Sequence, residues 1–416
     1  MGIKRFIWFL CLISTPVFAQ DRIEESKYER GSLYMMMVKH PKYAYNSEIE
    51  YVFSTMKKPE RFNDHSMKVK SVIFSSKDKD LADEIGNMIR KTQLAKRLVG
   101  KWFNRNTKTG LMNMELIKER GVYNASASDW ELAFKSQRGK ALLEDAGEQL
   151  IGNTYLVMND IRYVDHSTTW NTIKEVAAFA STVGAGIIAK NAGVDLGAFS
   201  SDSVSVYNQM EWLYGNVTDK IKGFAVNVTS YLFKLKWDET IANDFYFNLY
   251  TDSSHVDNAK TRAWKNPTEL YQLEYVGKIE NKSSKTVMSG VKTNEDLIRK
   301  VCTRALDKNI ADLQHQFDAF RIKAPLVSVS PLKVQIGKKE DVSEDSRFEV
   351  LERTFDKEGK VSFKRVGVIR PVKDKIWDNR YMAVEEGAEN STLGSTTFEK
   401  VSGGDFYPGM LVREIK

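Results

Sequence analysis

Cysteine is close to absent. The 416 residues hold two, Cys11 and Cys302, and Cys11 lies in an N-terminal segment that reads as a removable export signal. The mature chain keeps one thiol on that reading, so an intramolecular disulfide is excluded. A chain of about 400 residues buries enough apolar surface to fold without one. Cys302 therefore reads as a small hydrophobe on a helix. Histidine is also scarce. The five residues His40, His65, His166, His255 and His315 lie far apart, and none has a His or Cys partner at ligand spacing. His65, after Asn63-Asp64, and His166, after Asp165, read as exposed loop residues. There is no GxSxG elbow, phosphate-binding glycine loop, HExxH or calcium loop. No catalytic, metal or cofactor site is expected, and no cofactor.

An excess of one charge is missing too. Lys and Arg number 62 against 55 Asp and Glu, a formal +7. Loss of Lys4 and Arg5 with the signal leaves 7 − 2 = +5. Both signs are mixed along the chain, which gives no case for nucleic acid and allows only weak, peripheral attraction to an anionic membrane surface. No apolar run reaches the roughly 20 residues of a spanning helix.

What is present begins with the signal, residues 1–19. Lys4 and Arg5 form its basic end, Phe6 to Ile13 its apolar segment, and Val17-Phe18-Ala19 a small-residue cleavage site leaving Gln20 first. Cys11 sits inside the apolar segment rather than after the cut, so no lipid anchor is expected. The chain reads as exported, to the periplasm or an outer-membrane-associated location.

The stretch Ala141 to Val164 organises the next part. Leu142, Leu143, Ala146, Leu150 and Ile151 recur at helical spacing. Gly152-Asn153 break that helix, and TYLVMNDIRYV follows as a buried strand. Around it the pattern predicts an α/β domain over residues 20–323. Met35, Met36 and Met37 read as core filling, MKVKSVIFS (67–75) as a strand, and 80–103 as one long amphipathic helix. A short helix is expected to end at Gly121. GFAVNVTSYLFKLKW reads as a strand, DETIANDFYFNLYTD as a short helix, and ELYQLEYVGKIE as a further strand. A long helix is expected over Glu295 to Arg321, capped by Thr293 or Asn294. Glu144, Asp145 and Glu148 read as a solvated helix face, and Asp160 with Arg162 as a structural pair in the central strand. Tyr271, Tyr275, Trp377 and Tyr381 read as core or strand-face residues.

Residues 165–223 interrupt this plan. Val176 to Ala189 is a fourteen-residue uncharged stretch rich in Gly and Ala, of a kind that favours close helix packing. Val176, Phe179, Gly184, Gly186, Ile187, Ile188, Gly193 and Gly197 are the candidate interaction residues, against a partner, a second copy or a membrane; the other reading is a pair of packed helices, or a flap, that folds back on its own domain. From Leu326 the pattern changes to short alternating strands split by turns at Gly337, Gly359, Gly387, Gly394 and Gly403-Gly404. LVSVSPLKVQI, SRFEVLERTF, VSFKRVGVIRPV, RYMAVEE, TTFEKVSG and GMLVREI are the predicted strands of a small barrel over 324–416. The fold class expected is α+β: an N-terminal α/β domain with a helical insert, followed by a small C-terminal β-barrel.

Ile336-Gly337, Arg347-Phe348-Glu349-Val350, Gly367-Val368-Ile369 and Gly404-Asp405 to Gly409 resemble the small barrel that ends flagellar assembly protein T, over roughly the last ninety residues. Leu116-Ile117-Lys118-Glu119-Arg120 and Leu150 to Val157 resemble the α/β domain of curli-secretion channel subunits and of the Tol-system propeller protein's N-terminus. The insert departs from that plan. The whole chain is similar to uncharacterised exported proteins of Bacteroides-type bacteria. These resemblances imply an exported envelope location; with no catalytic motif in the chain, the function expected is that of a non-enzymatic assembly, scaffold or secretion-associated factor contacting other envelope proteins or itself. An exported enzyme acting on glycan or peptide, and a surface adhesin, are the alternatives. A polar cleft with converging carboxylates favours the enzyme, and an exposed sheet edge favours assembly.

Overall fold

Strand β1 (Ser32–Val38) reads SLYMMMV, and all seven residues are buried. Successive side chains on a strand point to opposite faces. Tyr34, Met36 and Val38 therefore enter one core and Leu33, Met35 and Met37 another. A strand apolar on both faces needs cover on both, and the three methionines supply core filling on each side. The chain is α+β. The computed structural model describes residues 31–42, 45–56, 62–64, 67, 69–74, 80–123, 147–148, 150–165, 221–288, 294–321, 323–355 and 361–415. The expected signal and residues 141–146 of the expected central helix lie outside these. Of that helix the structure describes Gly147 and Glu148 as helical, and a short 3-10 turn, Ile151–Asn153, leads into the strand that begins at Thr154.

The first sheet runs β2 (Asn63–Asp64), β1, β4 (Thr154–Asp165), β5 (Ile221–Leu235), β6 (Leu273–Met288), with β3 (Ser71–Val72) also on β1. β1 and β4 are parallel, and β4, β5 and β6 are antiparallel. The strand expected at 67–75 is reduced to Ser71–Val72.

Helices α1 (Asn46–Thr55), α2 (Ala82–Lys91), α3 (Leu94–Trp102) and α4 (Glu115–Tyr123) come between β1 and β4. The single helix expected over 80–103 is two. Thr92 Oγ1 donates back to the Met88 carbonyl at 2.8 Å, and Gln93 turns left-handed at φ 52°, an alternative such residues offer to the helical ladder. Gln93 Oε1 also accepts from the Thr268 amide. The break lets Ile85, Ile89, Leu98, Val99 and Trp102 cover one sheet face. Trp102 Nε1 donates to Thr154 Oγ1 at 2.7 Å, tying α3 to the start of β4.

After β5, Asp238 caps α5 (Glu239–Asp244) by accepting from the Ile241 amide, and a π-helical turn follows at Phe245–Leu249. Asp257 caps α6 (Asn258–Ala263) in the same way. Helix α7 (Asn294–Gln316) covers the other sheet face with Leu297, Val301, Cys302, Leu306 and Leu313. It stops before the expected Arg321 because Phe317 is extended (φ −108°, ψ 112°) and a 3-10 turn begins at Asp318.

The second sheet comprises β7 (Ala324–Val329), β8 (Leu332–Val334), β9 (Phe348–Phe355), β10 (Val361–Pro371), β11 (Thr396–Gly403) and β12 (Leu411–Glu414). LVSVSPLKVQI thus forms two strands. The order is β10-β11-β8-β7-β12-β9, and β9 pairs back with β10, closing the ring. Ala324, Val334, Val350, Ile369, Phe398 and Val412 fill it. Gly403, at φ 111°, lies where an added Cβ would meet the Val366 carbonyl oxygen at 2.3 Å, so the bulge between β10 and β11 needs glycine. RYMAVEE is not a strand. Residues 381–387 form a series of turns, with Met382 and Gly387 at positive φ. Only Ala383 of this run is buried, so strand pairing has no apolar face to bury there.

Candidate functional site

The candidate interaction residues Val176, Phe179, Gly184, Gly186, Ile187, Ile188, Gly193 and Gly197 lie outside the described residues, as do Glu144, Asp145, His65 and His166. The ends of their segment are described. Asp165 pairs with Phe224 on the adjacent antiparallel strand, so residues 166–220 leave and return at one end of the sheet.

Charge on α7 gathers on its outer side at helical spacing, through Lys300, Arg304, Asp307, Lys308 and His315. This stripe meets the second sheet's turns. Lys300 and Arg304 both bind the Glu386 carboxylate, and Arg304 also donates to the Tyr381 carbonyl. Asp307 faces Lys339 at 3.4 Å, and Lys308 bridges Asp312 at 2.5 Å and Asp341 at 3.1 Å. His315 Nδ1 stands 2.9 Å from Glu414, at the end of β12. The turns that replace the expected strand are thus the docking surface for α7.

A cleft of about 610 Å³ opens beside this junction, lined in part by Arg304, Asp307, Lys308, Lys339, Asp341 and Arg380. Burial pushes the Asp307 carboxyl up to about 6, against the pull of Lys339. Burial would also raise Asp378, but the bonds from Arg380 at 2.8 and 2.6 Å outweigh it and hold that carboxyl below its ordinary range. Asp307, Asp341 and Glu344 each face a lysine, the last through Lys373 at 3.6 Å. Acid–base work on a glycosidic bond needs two carboxyl groups facing one gap in different protonation states. Here each of these carboxylates is turned to a cation instead.

A second cluster sits at the carboxyl ends of the parallel strands. Asp160 is buried, with Arg162 Nε and Nη2 at 3.0 and 2.8 Å and His40 Nε2 at 2.6 Å. Burial opposes ionisation of Asp160, but these bonds win and lower its pKa. Sequence reasoning reaches Asp160 with Arg162 and misses His40. The register Val38↔Asp160 places His40, two residues on, over the carboxylate.

The third feature is an edge. Beyond β6 no strand pairs among the described residues, whereas the opposite flank of β1 carries β2 and β3. β6 is sixteen residues long, more than the expected ELYQLEYVGKIE, because the polar continuation after Glu280 still pairs with β5 as far as Met288. A register shift sets Tyr275 opposite Phe233 and Gly277 opposite Leu232. Lys278 and Glu280 then share the α2 face, where Lys278 pairs with Asp80 at 2.5 Å and Glu280 accepts from Asn227 at 3.0 Å. Ile279 and Asn281 share the α7 face, where Asn281 donates to Asp312. Tyr275 is 46% exposed.

No protein-family model matches the sequence, and no curated protein is detectably similar to it. Among the described residues no helix is long and apolar enough to cross a membrane, and no group of His, Cys, Asp and Glu has the arrangement of a metal site.

Proposed function

We propose that this chain is an exported envelope protein acting without catalysis, as an assembly, scaffold or secretion-associated factor. The observation that carries the reading is the outer edge of β6, on which no strand pairs among the described residues, because a long edge of that kind is a ready template for a partner's strand. The charged junction between α7 and the second sheet supports it, since a scaffold has to hold its modules in fixed relation. On this reading the closed six-stranded ring serves as a small interaction barrel, and residues 166–220 give a further contact. Export rests on Lys4, Arg5, Phe6 to Ile13 and Ala19. Mass spectrometry of the mature N-terminus should find Gln20 without lipid.

A photo-crosslinking residue at position 278, 280 or 281, in cells with an intact envelope, tests the reading. Discrete crosslinked protein species are expected. Silence at all three positions, with the protein present and folded, would overturn it. A second reading, an exported enzyme on glycan or peptide with Asp307 as its proton donor, has one observation in its support, that burial raises this carboxyl beside the cleft. Hydrolysis of such a substrate that disappears in Asp307→Asn would select that reading.

A further inference from the structure

We infer that the partner at the β6 edge is a second copy of this chain, paired antiparallel about a two-fold axis that sets Ile279 opposite Ile279. The inference rests on the proposed role of that edge in protein–protein contact and names its occupant.

Two antiparallel copies related by a two-fold perpendicular to the sheet set residues on the same face opposite one another, so the axis passes midway between one residue, the centre, and its own copy. Centred on Ile279, Lys278 of each copy faces Glu280 of the other, and two complementary pairs form. A centre one residue earlier sets Lys278 against Lys278. One residue later it sets Glu280 against Glu280. Opposite charges directly across strands stabilise and like charges destabilise, so the sequence of this edge selects one of the three centres.

On the other face the same centre sets Ile279 against Ile279, both partly buried beneath α7, and Asn281 opposite Gly277, over which the Phe317 ring already lies. The existing partners leave capacity for the new pairs. An ammonium group has three donors, and the Asp80 bond uses one. Glu280 engages Asn227 through Oε1, and its second oxygen can take the incoming lysine. The same charges explain why the edge need not recruit strands indiscriminately. Lysine and a bulge on an edge discourage non-specific pairing, while alternating sign admits a strand of matching pattern. The other long edge is blunted by β2 and β3, so pairing at β6 closes after two copies.

The test is charge exchange read by analytical ultracentrifugation of the mature full-length chain. The native protein should sediment as a dimer in reversible equilibrium, weakened by salt. Lys278→Glu and Glu280→Lys should each raise the dimer dissociation constant roughly tenfold or more. An equimolar mixture of the two variants should restore the dimer, because every facing pair is again opposite in sign. Circular dichroism checks that each variant is folded. If either is not, a photo-crosslinker at position 279 of the otherwise native chain replaces it, with a 279-to-279 link expected. A native monomer at all concentrations, or a dimer indifferent to both variants, overturns the inference. Envelope crosslinks at the edge to a different protein, or to residues 166–220 of the same chain, would also overturn it. Of these, capture of a different protein leaves the broader partner-binding reading standing. Silence at every edge position defeats both.

Discussion

Arg304 donates twice to one carbonyl, that of Tyr381, from Nε at 3.1 Å and Nη2 at 2.8 Å. The same guanidinium reaches the Glu386 carboxylate five residues on. One side chain of α7 thus grips both ends of the turn series projecting from the ring. Hydrogen bonds from a charged, planar fork are stronger and more directional than neutral ones.

Arg304→Ala should therefore uncouple the two halves. A loss of about 1–3 kcal/mol is expected, with chemical denaturation splitting into two transitions where the native chain shows closer coupling. Arg304→Lys should recover only part, because an ammonium lacks the fork. A single unchanged transition in Arg304→Ala would show that the junction does not depend on this contact.

Asp307 and His315 each contribute stability that is lost as pH rises, in two separate windows. Asp307 is raised by burial to about 6, and His315 is raised first by its bond to Glu414. A raised folded-state value means stability present below the unfolded value and lost as pH climbs through the folded one. For Asp307 that window runs from its ordinary 3.8 to about 6. For His315 it begins at its ordinary 6.5 and extends upward. Urea midpoints across pH should flatten in the lower window for Asp307→Asn and in the upper window for His315→Gln.

Gly277 lies against Phe317, and an added Cβ would stand 2.2 Å from the ring. Gly277→Ala should cost about 1–3 kcal/mol by overpacking. In a Phe317→Ala background most of that cost should vanish, and the double-mutant cycle measures the coupling directly.

Cys302 is 1% exposed, and burial pushes its thiol up to about 12. Thiolate is the reactive form, so a thiol reagent should label Cys302 only as fast as the native chain opens. Rapid labelling without denaturant would contradict the packing of α7. Cys302→Ser should destabilise by about 1–3 kcal/mol, since it buries a hydroxyl among aliphatic side chains.

Elements with one strong local pattern were legible in the sequence. SLYMMMV and TYLVMND are apolar on both faces and became the central parallel pair. The helical spacing of Leu297, Val301, Ala305 and Leu313 became α7. Features set by distant register were not legible. His40 meets Asp160 across 120 residues, through a pairing no local window contains. The break at Gln93 depends on an amide at Thr268, and the turns at 381–387 depend on cations of α7. Of the three candidate features, the charge stripe of α7 had a signal in its spacing. The β6 edge had only half, because its later residues are polar and do not alternate cleanly.

The ring is closed by its final strand. β12 lies between β7 and β9, and its Glu414 also reaches His315 on α7. Until residues 411–414 have arrived, both neighbours present unpaired edges and the junction lacks that ion pair. Arrival of residues 411–414 is thereby the event that closes the ring. A product that stops before residue 411 would carry two exposed strand edges, a form that proteases and holding chaperones distinguish from the closed ring.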